Sequence, residues 1–99
     1  MRVKFDEWAK REFDDARAWY AGIHGDLARR FAAEVRDAGR RVVRQPLMYP
    51  IESGDIRKCV LTQFPYTLRY AVRSDLILIV AVSHQHRNPD YWVSRTSKQ

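Results

Sequence analysis

Tyr66–Ser83, YTLRYAVRSDLILIVAVS, is the stretch whose reading decides the fold. Its first eight residues alternate. Tyr66, Leu68, Tyr70 and Val72 fall on one side of an extended chain, and Thr67, Arg69, Ala71 and Arg73 on the other. Ser74-Asp75 supplies a tight turn, and LILIVAVS is apolar on both parities, which predicts the most buried strand of a sheet. Just upstream, IRKCVL (residues 56–61) predicts a partner strand. Short turns between three such segments make an antiparallel meander.

The period changes on moving outward. QPLMYPIESGD (residues 45–55), with two prolines and a glycine, reads as a loop. Before it, Leu27, Phe31, Val35, Ala38 and Val42 form one apolar stripe of a helix capped by Asp26, with Asp37 and Arg41 spaced as an i,i+4 pair. Gly39 within that helix costs about 1 kcal/mol relative to alanine and suits close packing. Ala9, Phe13, Ala16, Tyr20 and Ile23 make a second stripe after an Asp6 cap, stopped by Gly22 and Gly25 around His24. RVKF (residues 2–5) predicts a short first strand. The expected architecture is α+β in the order β-α-α-β-β-β, one domain over residues 1–99. Its helix hairpin packs on one face of a small antiparallel sheet, and the other face carries Arg69 and Arg73.

Ninety-nine residues, 45% apolar and 30% charged, suit a single modest core. Cys59 is alone, the N-terminus lacks a secretory apolar region, and Leu76–Val82 is too short to span a bilayer, so a cytoplasmic protein is expected. A net charge of +6 favours an acidic partner, protein or nucleic acid. Arg29, Arg36, Arg40 and Arg44 fall along one row of the second helix, a pattern shared by solvated faces and acidic-partner surfaces. No metal or cofactor is expected: His84 and His86 lack third and fourth ligands, and no Gly-rich phosphate loop exists.

The chemistry-bearing segment is SHQHRNPDYW (residues 83–92). One reading is metal-independent RNA cleavage. His84 or His86 would act as base or acid, Tyr91 as acid, and Arg69, Arg73 and Arg87 as a phosphate clamp. The other is structural: Pro89 stops the strand, and Tyr91 and Trp92 return to cover the sheet. Arg57, Arg69 and Arg73 are the candidate binding cations.

FDEWAKREFDDARAWY, FAAEVRDA, IRKCVLTQFPYTLRY and AVSHQHRNPDYW together resemble the RelE/ParE superfamily of type II toxin–antitoxin toxins, from Val3 to Arg95. Phe64-Pro65-Tyr66 and the closing His84-x-x-Arg87-x-Pro89-x-Tyr91-Trp92 are closer to the ParE, or plasmid-stabilisation, branch. The resemblance implies a bacterial protein neutralised by a cognate antitoxin with an acidic contact segment, the pair together binding operator DNA. RelE-like members cut mRNA on the ribosome. Their key arginines fall at Thr62 and Gln85 here, whereas Tyr91 and Arg87 match. A different ribonuclease site would use His84, Arg87 and Tyr91. ParE-like members inhibit DNA gyrase by binding, which needs no bond-making residue, and that is the function expected here. The alternatives are a ribosome-dependent mRNA endoribonuclease and a non-toxic relative that binds nucleic acid or protein.

Overall fold

The computed structural model of the chain describes residues 1–86 and 91–93. Its centre is the expected hairpin of β4 (Tyr66–Arg73) and β5 (Leu76–His84), paired antiparallel from Tyr66↔His84 to Arg73↔Leu76. The two-residue connection holds Ser74 at φ 51°, the left-handed region that most side chains avoid.

A bulge explains why β5 is apolar on both parities. Arg69 pairs with Ala81 but Tyr70 pairs with Ile79, so Val80 is the extra residue. The side-chain alternation therefore slips at that point. Ile77, Ile79 and Val82 join the core under the helices, while Val80 and Ala81 join a second cluster with Ile56, Ala71 and Trp92.

The sheet is larger and more mixed than the period alone predicts. β3 (Ile56–Val60) pairs with β4 as expected. Ile51–Ser53, read as loop, forms a short bulged edge strand, β2, against β3. β1 (Arg2–Phe5) pairs with β5 in parallel, which gives the order β1-β5-β4-β3-β2. A parallel neighbour requires a crossover, and the helix hairpin between β1 and β2 begins that path. The sheet is therefore not wholly antiparallel.

α1 (Glu7–Ile23) starts at Asp6, whose carboxylate accepts the Ala9 N–H at 2.8 Å. Ala9 and Ala16 are buried, and Phe13 and Tyr20 pack beside them; Ile23, expected on the same stripe, is exposed. The corner between helices turns on His24 rather than on the glycines. Its N–H donates to the Tyr20 carbonyl, and its Nδ1 accepts from the Asp26 N–H, so His24 caps both helices and Asp26 lies in the first turn. α2 (Gly25–Arg44) buries Phe31, Val35, Ala38 and Val42 as expected, with Ala28 and Ala32 also buried and Leu27 only half-buried. Asp37 pairs with Arg40, not Arg41, which turns to Tyr49. Phe13, Tyr20, Phe64 and Tyr66 surround Phe31 or one another at centroid distances of 5.0–6.3 Å. This aromatic cluster locks the hairpin to the end of β4 where His84 sits.

Two carboxylates tie distant segments together. Glu34 of α2 accepts the N–H groups of Thr62 and Gln63 in the β3–β4 loop. Glu12 of α1 accepts the Val82 N–H at 2.9 Å through one oxygen and the Tyr91 hydroxyl through the other. Charged acceptors of this kind contribute about 1.5–3 kcal/mol per bond.

Candidate functional site

His84 ends β5 beside Tyr66, its register partner. The two rings meet edge-on at 5.2 Å, and His86 lies 5.1 Å from His84 on the other side. The His86 N–H donates to His84 Nδ1 at 3.1 Å, which orients the ring. The Gln85 N–H donates to the Pro65 carbonyl at 2.8 Å, closing the chain over the Phe64-Pro65-Tyr66 corner.

The same place holds a cleft of about 210 Å³ in which His84 and Tyr91 meet Glu12, Asp15, Trp19 and Tyr66. The structure thus brings two of the three proposed catalytic residues together. It also surrounds them with negative charge. Tyr91 already donates its hydroxyl to Glu12, and Asp15 stands on the same flank of α1. Among the described residues, no lysine or arginine lines the cleft. Among the described residues, a phosphate approaching His84 would meet the carboxylates of Glu12 and Asp15. Arg87, the third candidate, and Pro89 lie outside the described residues.

The second sheet face is not the open basic surface that strand alternation predicts. Arg69 is only 8% exposed, because Trp92 covers it with its ring 5.3 Å from the guanidinium. Its Nε donates to Glu52 at 3.0 Å and its Nη1 to the Ser83 hydroxyl. Arg73 pairs with Asp55 at 2.7 Å. Arg57 donates to the carbonyls of Leu47 and Tyr49, at 3.0 and 2.7 Å, and so braces the chain before β2. Arg57, Arg69 and Arg73, the candidate binding cations, are all engaged within the fold. Trp92 is 1% exposed, so the segment read as a structural corner does cover the sheet where it is described.

The prominent cationic surface lies on the helices. Between α1, α2 and β1 runs a groove of about 840 Å³, floored by Phe5, Phe13, Val35, Val43, Leu68 and Ile79. Lys10, Arg17, Arg36, Arg40 and Arg44 rim it, with Asp14 as the one acid among the described residues. Gly39 fronts this groove rather than another element; a Cβ there would meet nothing within 4 Å. Part of this was legible, since the row of Arg36, Arg40 and Arg44 follows from helical spacing. The apolar floor was not, because it is assembled from three elements.

Among the described residues no group of three His, Cys, Asp or Glu side chains is placed to hold a metal ion. Cys59 is buried within β3. No described helix is long and apolar enough to cross a membrane.

An antiparallel hairpin of helices on this sheet is the fold of the RelE/ParE toxins. The sequence matches the family described as ParE toxin of type II toxin-antitoxin system, parDE, over residues 3–89. The chain belongs to the ParE toxin family. A solved structure of the chromosomal ParDE TA system from P. aeruginosa contains a similar chain: the TM-score is 0.62 at 19% sequence identity, over 85% of this chain and 95% of that one. At that identity the likeness concerns the fold. No curated protein sequence matches the chain.

Proposed function

We propose that this ParE-family chain is a toxin that acts by binding DNA gyrase and not by cutting RNA, and that a cognate antitoxin neutralises it. The observation that carries this reading is the carboxylate wall around His84 and Tyr91: Glu12 holds the Tyr91 hydroxyl and Asp15 stands beside it. A binding toxin has no need of a phosphate clamp. A ribonuclease centred on His84 would have to work beside the carboxylates of Glu12 and Asp15.

The groove on the helix hairpin is the surface we assign to the antitoxin. Its apolar floor and five-cation rim suit an amphipathic acidic segment, apolar side inward and carboxylates along the rim. Opposite charge on the two partners speeds their encounter and makes the association sensitive to salt. Operator DNA is then contacted through the antitoxin's complex.

Purified gyrase tests the central step. The wild-type chain should inhibit supercoiling, and added antitoxin should relieve that inhibition. Cleavage of ribosome-bound mRNA that His84→Ala abolishes, with gyrase untouched, would replace this reading with the ribonuclease.

A further inference from the structure

The cleft at His84 carries an implication of its own, which rests on the reading of the chain as a binding toxin. We infer that it receives an arginine side chain of the toxin's protein target.

Its walls have the chemistry of a cation receptor. Trp19 and Tyr66 offer ring faces or edges, and Glu12 and Asp15 supply charge. Glu12 is preorganised, since both of its oxygens are held, by the Val82 N–H and the Tyr91 hydroxyl. Asp15 is exposed and makes no ion pair among the described residues, on a chain with eighteen lysines and arginines. Its carboxylate is therefore available to take a guanidinium fork, while Trp19 offers the stacking surface.

Trp19 is 67% exposed. Tryptophan is among the residue types enriched where protein interfaces concentrate their binding energy. The volume, about 210 Å³, is below the roughly 300–1,000 Å³ of small-molecule sites and suits one long side chain. Charge complementarity chooses a cation, and the planar rings choose arginine over lysine.

Placement separates this cleft from the antitoxin groove. Lys10, Asp14 and Arg17 face the groove, and Glu12, Asp15 and Trp19 face the cleft. At 100° per residue these are opposite flanks of α1. One helix thus presents a basic docking surface on one side and an acidic, aromatic one on the other.

Two measurements test the assignment. In the first, N-acetyl-arginine-methylamide is titrated into the labelled chain and amide shifts are followed. Saturable shifts should gather at the Trp19 indole N–H, Asp15 and Tyr66, and vanish in Asp15→Lys. Shifts that are absent, spread over the surface or unchanged in Asp15→Lys would overturn the proposal. In the second, Trp19→Ala and Asp15→Lys are assayed for gyrase inhibition, for growth arrest and for antitoxin binding. We expect at least about tenfold weaker inhibition and loss of arrest, with antitoxin affinity kept within about twofold. Full potency in both variants would overturn the proposal, as would a parallel loss of antitoxin binding. If the wild-type chain arrests growth without touching gyrase, the gyrase reading fails by itself, and the growth-arrest and titration results still decide the cleft.

Discussion

Glu12 shows how much one side chain decides in this molecule. It was legible only as a polar position on an amphipathic helix, yet it ties α1 to β5 and to Tyr91. Glu12→Ala strands the Val82 N–H and frees the Tyr91 hydroxyl, at a cost of about 2 kcal/mol that urea unfolding should register. Tyr70 offers a second test at this scale. Its hydroxyl donates to the Pro46 carbonyl at 2.6 Å inside the core, and burial pushes its pKa from 10.0 up to about 12, against a smaller opposing pull from Arg57. The folded state thus favours the neutral phenol. That contribution is complete below pH 10, where the unfolded phenol is also neutral, and is lost as the pH rises towards 12. The wild-type melting temperature should fall across pH 10–12. Tyr70→Phe should flatten that fall without abolishing it, because burial also raises Tyr20 and Tyr66.

Elements were read well where one periodicity ruled and poorly where two elements had to cooperate. The α2 stripe and the alternation of β4 follow from spacing alone, and both hold. β2 escaped because Ile51–Ser53 is too short to show a period and exists by pairing with β3. The parallel pairing of β1 escaped because nothing in RVKF specifies a neighbour. The expected basic sheet face failed for a related reason: alternation places Arg69 outward but cannot announce that Trp92 returns to cover it. Trp92→Ala should therefore cost about 3–5 kcal/mol, a large share of the roughly 5–15 kcal/mol that holds such a domain folded. Gly39 belongs at this scale too. Gly39→Ala should stabilise α2 by about 1 kcal/mol, whereas Gly39→Leu should project into the groove and weaken antitoxin binding, measurable by calorimetry.

Over the whole molecule, charge is sorted rather than spread. Arg57, Arg69 and Arg73 are engaged within the fold, five helix cations rim an apolar groove, and carboxylates line the cleft that holds His84 and Tyr91. Of the cleft, His84 and Tyr91 were legible in the sequence, because histidine and tyrosine are conspicuous after a strand. Their setting was not, since Glu12 and Asp15 come from the other end of the chain. That setting is what supports the proposed binding surface over a phosphate-handling constellation. The most direct test follows DNA and protein synthesis by pulse-labelling in the minutes after the chain is induced without its antitoxin. The account predicts that DNA synthesis falls first. A first fall in protein synthesis that His84→Ala prevents would contradict it.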